Sequence, residues 1–112
     1  MAQDGQLLLG KLLRLEKDGS PAAGNPYIGN PNVRDEVFAM GLRQPFRMTQ
    51  DPVTGDIWLG DVGESDWEEI NFIRGNSAGG QNFGWRLFEG PVSGAVTTLC
   101  TCLLYTSDAA DE

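Results

Sequence analysis

Histidine is absent from this chain. Without an imidazole, no Ser-His or Cys-His nucleophile pair can be built from these residues, and the commonest general base is not encoded among them. Cysteine is scarce: Cys100 and Cys102 are the two present, and a Cys-x-Cys spacing suits neither a disulfide nor a zinc site. No apolar run approaches the roughly 18 residues of a membrane span. Basic side chains number eight against sixteen acids, a net charge of −8, which argues against nucleic acid as a partner because phosphate recognition rests on clustered Lys and Arg. The layout of a secretory leader is also missing, since Lys11 interrupts the leucines of AQDGQLLLGKLLRL and no basic segment precedes them.

Turn formers are abundant instead. Fifteen glycines and six prolines punctuate the 112 residues and predict short strands with frequent turns. Leu8, Leu12 and Leu15 would share a helical face, but Gly10 interrupts that pattern and Asp18-Gly19 closes it, which favours a strand at 11–15. Residues 19–32, GSPAAGNPYIGNPN, read as an irregular surface loop, and 36–40 as a short strand entering a turn at Gly41. Phe46 and Met48 alternate with Arg47 and Thr49, DPVTGD supplies turn chemistry, and Ile57 and Leu59 alternate with Trp58 and Gly60; this is a β-hairpin. A further strand is expected at 68–73, with Ile70 and Phe72 on one face, followed by GNSAGGQ and Asn82–Trp85. The fold expected is all-β, a partial β-propeller of about one and a half blades. Blades are usually four-stranded and stack around an axis, so this portion alone would leave unpaired edges and is expected to fold poorly by itself.

Chemistry concentrates between Gly41 and Gly90. Arg43 sits in a Gly-Leu-Arg-Gln-Pro turn, and its permanently charged fork suits a carboxylate or a carbonyl gaining negative charge. An alternative use is a pairing with a nearby acid or the capping of backbone carbonyls. Five acids, Asp61, Glu64, Asp66, Glu68 and Glu69, fall within nine residues. Their spacing is not that of an EF-hand, which leaves either an irregular calcium loop using backbone carbonyls or a solvated acidic loop. Trp58, Trp67, Trp85 and Phe83 offer either stacking faces for a flat ligand or packing between blades.

The motifs GKLLRLEKDG, GLRQPFRMTQDPVTGDIWLGDVG, WEEIN and GGQNFGWRLFEG, in that order from Gln3 to Gly90, resemble the glucose/sorbosone dehydrogenase family. The resemblance implies a six-bladed propeller that uses pyrroloquinoline quinone (PQQ) and Ca2+ to oxidise an aldose to its lactone, passing electrons to an artificial or respiratory acceptor. It implies that Arg43 and Gln44 contact the quinone, with Arg43 acting in catalysis and Gln44 standing where the family has asparagine. It places the carbonyls of Gly63 and Glu64 on a calcium bridging to the cofactor, with Glu64 in place of proline. It places Glu69 and the Phe83 carbonyl on a second, structural calcium. The family's catalytic histidine belongs to an earlier blade, so the segment is expected to be inactive in isolation; the parent protein is expected to be periplasmic or secreted. A binding propeller without enzymatic activity is the alternative. Residues 102–112, CLLYTSDAADE, resemble a translated sequencing adapter, and the propeller domain is accordingly expected to occupy 1–101.

Overall fold

The computed structural model describes residues 1–64, 68–89 and 92–93; Asp66, Trp67 and the segment 102–112 lie outside them. The described residues form seven strands and no helix: β1 (Lys11–Leu13), β2 (Val37–Met40), β3 (Pro45–Gln50), β4 (Ile57–Asp61), β5 (Glu69–Ile73), β6 (Phe88–Glu89) and β7 (Val92–Ser93). An antiparallel sheet joins β3, β4 and β5, while β1 pairs with β2 and β6 with β7. The expected strand at 11–15 is shorter than the sequence suggests. β1 ends at a bulge after Leu12, with the Arg14 N–H still donating to the Glu36 carbonyl at 3.0 Å, and Leu15 bridges Pro21 across the Asp18-Gly19 turn.

The β3–β4 hairpin forms for the reason its turn sequence suggests. The Asp51 carboxylate accepts the N–H groups of Val53 at 2.7 Å and Thr54 at 3.2 Å, and Gly55 supplies a φ of 79° that closes the turn. Register then sorts the side chains. Leu59 lies opposite both Met48 and Asn71, whereas Trp58 lies opposite Thr49 and Phe72. Leu59 and Ile73, with Ile57 at the margin, face β2 and pack with Phe38, Ala39, Leu42 and Phe83 into one buried cluster. On the opposite face, Trp58 and Phe72 meet at 4.5 Å between ring centroids, and Ile70 remains 67% exposed. Burial is thus confined to β4 and β5, where Leu59 and Ile73 are covered and Phe72 is shielded beside Trp58, while β3 is exposed along its whole length.

Asn82–Trp85 does not extend this sheet. It runs parallel to β2 through an Asn82–Met40 bridge, with the Met40 N–H donating to Gln81 and the Phe83 N–H donating to Met40, both at 2.9 Å. The chain before β1 is docked by side chains. Lys11 Nζ, buried at the start of β1, donates to the carbonyls of Met1, Ala2 and Leu9 at 2.9–3.1 Å. Gln3 exchanges amide hydrogen bonds with Asn82 at 3.0 and 2.7 Å and donates to the Trp85 carbonyl at 2.6 Å. The Gly41–Gln44 turn, leading from β2 to β3, therefore sits between the end of β4 and the 82–85 segment.

Candidate functional site

Gly41 takes a φ of 80°, and a Cβ there would collide with Asn82 Oδ1 and lie 2.6 Å from the Gly84 nitrogen, so only glycine lets the 82–85 segment press this close. The Trp85 N–H donates to the Gly41 carbonyl at 2.9 Å, setting the indole beside the turn. Arg43 follows, with its guanidinium carbon 5.5 Å from the Trp85 ring centroid.

From the other side the turn is held by Asp61, the last residue of β4. Its carboxylate accepts the Arg43 N–H at 2.9 Å on Oδ2 and the Gln44 N–H at 2.7 Å on Oδ1. The Val62 N–H returns a bond to the Gln44 carbonyl at 3.1 Å. Arg43 Nη1 then donates to the carbonyls of Val62 and Gly63, each at 3.0 Å. Among the described residues, Nε and Nη2 of Arg43 take no protein acceptor.

Asp61 is buried, 4% exposed. Burial pushes its carboxyl above the ordinary carboxylate range, against the pull of the two backbone N–H donors and the Arg43 charge, and nearby Glu68 adds to the rise. Ionised Asp61 is therefore held at a cost in stability, offset in part by the two backbone donors and the Arg43 charge.

The structure brings Arg43, Gln44 and Gly63 together around Asp61. Gln44 is exposed, with its backbone engaged on both sides. Gly63 also donates its N–H to Glu68 Oε2 at 3.0 Å, so its peptide unit is engaged at both ends, and Glu64 beside it is exposed. Glu69 lies directly opposite Asp61 in the β4–β5 register. Phe83 is 2% exposed in the core cluster beneath the turn. Among the described residues, no group of three or more Cys, Asp or Glu side chains converges as a cation cluster, so a cation here would depend on carbonyl oxygens. Of the two uses open to Arg43, carbonyl capping is observed, and it occupies one of the guanidinium's nitrogens.

Trp85, one of four aromatics with a stacking or packing use open to them, lies beside Arg43, whereas the part of Asp61 in the site was not disclosed by the sequence. Asp61 was one acid among five, and the signal available was its place: the end of a strand whose hairpin partner begins at Pro45, next to the arginine turn. Gln3, 79 positions from Asn82, carried no local signal.

Residues 1–93 match the family described as Glucose / Sorbosone dehydrogenase. Among curated relatives, the HIPL2 protein of Arabidopsis thaliana is 38% identical over 80% of this chain, and the aldose sugar dehydrogenase YliI of Escherichia coli is 36% identical over 77%. Among solved structures, an oxidoreductase of Thermus thermophilus described as a glucose dehydrogenase superposes over 83% of the chain with a TM-score of 0.72 and 36% identity. The soluble aldose sugar dehydrogenase of E. coli, solved in its apo form, superposes over 77% with a TM-score of 0.66, also at 36% identity. The chain spans 15% and 22% of the two curated relatives and 27% and 24% of the two solved chains. It belongs to the glucose/sorbosone dehydrogenase family and forms part of that family's β-propeller.

Proposed function

We propose that this segment contributes one side of the cofactor site of a PQQ-dependent aldose dehydrogenase, with Arg43 as its principal contact. The observation that carries the reading is the presentation of Arg43: its main chain is clamped by Asp61, Nη1 is committed to two carbonyls, the ring of Trp85 lies alongside, and Nε and Nη2 take no acceptor among the described residues. Those donors fit the carboxylates and carbonyl oxygens of a flat anionic quinone. When bound, PQQ with its calcium supplies the acceptor for the hydride that leaves the anomeric carbon as an aldose becomes a lactone.

In this reading Arg43 binds the quinone and stabilises negative charge on its oxygens, while Gln44 orients it. The Gly63 carbonyl keeps a second lone pair beyond its bond to Arg43, so it and the Glu64 carbonyl fit the calcium next to the cofactor. Glu69 and the Phe83 carbonyl would hold the second calcium. The sugar hydroxyl proton passes to a histidine outside this segment, electrons leave to an artificial or respiratory acceptor, and the parent protein is periplasmic or secreted.

The test uses a full-length protein carrying this segment, titrated with PQQ in calcium buffer and then assayed for aldose-dependent dye reduction. Quinone binding and dye reduction are expected, and Arg43→Ala is expected to weaken quinone binding by about 10- to 100-fold, the size of a lost charge-assisted hydrogen bond. A protein that binds no quinone and oxidises no aldose overturns the reading. That outcome favours a binding propeller without activity, the alternative that Gln44 and Glu64, at positions where the family has asparagine and proline, leave standing.

A further inference from the structure

We propose that Asp61 is a positioning residue for Arg43, fixing through the backbone which guanidinium nitrogens are offered to a ligand. The inference rests on the reading of Arg43 as an anion contact and assigns the control of that contact to a residue that would not itself touch the ligand.

The geometry is a reciprocal clamp. Two consecutive N–H groups, those of Arg43 and Gln44, converge on the two oxygens of one carboxylate at 2.9 and 2.7 Å. The residue after the carboxylate, Val62, donates back to Gln44 and accepts from Arg43 Nη1. The loop 43–44 and the loop 62–63 are thus locked face to face, and Nη1 is consumed in the lock. With Nη1 fixed and Trp85 alongside, the planar guanidinium keeps little rotational freedom, so Nε and Nη2 are held in one direction before any ligand arrives. Asp61 has no contact with solvent to speak of, at 4% exposure, which removes it from direct ligand binding. An asparagine at 61 would keep one acceptor and turn an N–H2 group toward the second backbone donor, opening half of the clamp at nearly constant volume.

The experiment is a double-mutant cycle in a full-length protein carrying this segment, made without cofactor and titrated with PQQ in calcium buffer, alongside thermal unfolding. Asp61→Asn is expected to raise the quinone Kd about tenfold, the effect of misdirecting one charged contact, with the melting temperature unchanged or higher. In the Arg43→Ala background the same substitution is expected to change Kd by no more than about two- to threefold, the part that passes through its remaining bond to the Gln44 N–H. A merely structural Asp61 would instead weaken binding equally in both backgrounds, and that result, or an unchanged Kd in the single variant, overturns the proposal. If Arg43→Ala alone leaves Kd unchanged, it is the reading of Arg43 that fails. Should Asp61→Asn not fold, Asp61→Ser, with one acceptor in a smaller side chain, takes its place in the cycle; failure of both to fold identifies Asp61 as structural and ends the proposal.

Discussion

Replacing Lys11 by methionine tests how the chain before β1 is held. The ammonium donates to three carbonyls, of which the bond to Ala2 is buried and those to Met1 and Leu9 are half-buried. Methionine preserves the length and apolar stem and removes all three donors. The Ala2 carbonyl then lacks its partner away from water, which costs about 1–3 kcal/mol, while the other two recover part of their bonding from solvent. Relief of the buried charge works in the opposite direction, since burial lowers the Lys11 pKa despite the nearby Asp4 carboxylate. A net loss of about 1–2 kcal/mol is expected, a rise of roughly 5- to 30-fold in the local opening of residues 1–9. Hydrogen exchange read by mass spectrometry measures it directly, because the Asp4 and Leu7 amides are bonded within the segment and the Arg34 amide donates to Gly5. A pH series supplies the second arm. With the folded pKa below the ordinary value of 10.5, the released segment binds more proton than the docked one between those two pH values, so protection should increase with pH there, and the methionine variant should lose that slope. Unchanged exchange at 1–9, or acceleration spread equally over β4, refutes the account.

Gly41→Ala forces an L-residue into the φ of 80° and a methyl onto the 82–85 segment; it is expected to cost at least about 1–2 kcal/mol from the backbone alone, and loss of exchange protection at the Phe83 and Trp85 amides checks it. Trp85→Ala removes the ring beside the Arg43 guanidinium, worth about 0.5–1 kcal/mol at a half-exposed position, and should raise the PQQ Kd about two- to fivefold in a full-length protein carrying this segment. The Asp51 carboxyl is held below its ordinary pKa by the Val53 and Thr54 backbone N–H groups, so its support of the hairpin is present above the unfolded pKa and is lost as pH falls through the folded one. Protection of those two amides, followed downward from about pH 5, should therefore fall in the wild type and be flat in Asp51→Ala.

The hairpin was legible in the sequence because its causes are local. Asp51 and Gly55 act within five residues of each other, and alternation in β4 and β5 places Leu59 and Ile73 on the face that is buried, although Met48 opposite Leu59 stays exposed. The same alternation placed Ile70 and Phe72 on one face, where Ile70 is exposed and Phe72 is buried against Trp58. The strand after Gly10 was legible in kind, although its end was not, since Leu13 to Pro21 is governed by a turn that competes with the ladder. The route of Asn82–Trp85 was not legible: a parallel bridge to β2, some 42 positions away, depends on the space left by Gly41, and no periodicity encodes it. The site divided along the same line. Arg43 and Gln44 announced themselves by turn chemistry and resemblance, whereas Asp61 became distinguishable from Glu64, Glu68 and Glu69 through burial and two backbone donors, which are properties of the fold.

The two uses of Arg43 weighed from the sequence are compatible because of how its donors are arranged. A guanidinium carries five N–H groups in a rigid plane, so Nη1 can cap the Val62 and Gly63 carbonyls while Nε and Nη2 point elsewhere. A lysine in the same turn would have to divide three donors on one freely rotating nitrogen between carbonyls and ligand, and would lose binding energy to the ordering of its stem. In the proposed site the carbonyl contacts are the means by which the charge would be aimed, while the buried carboxylate of Asp61 holds the backbone of the turn. The exposure of the β3–β5 sheet follows from the same division of labour. Trp58 and Ile70 are left uncovered by the described residues, as expected of a blade whose next neighbour in a propeller supplies the covering surface. The turn that aims Arg43, by contrast, is anchored entirely within the segment, by Asp61 above and the 82–85 segment below. The bonds that fix the Arg43 backbone and its Nη1 are thus made within this stretch of chain.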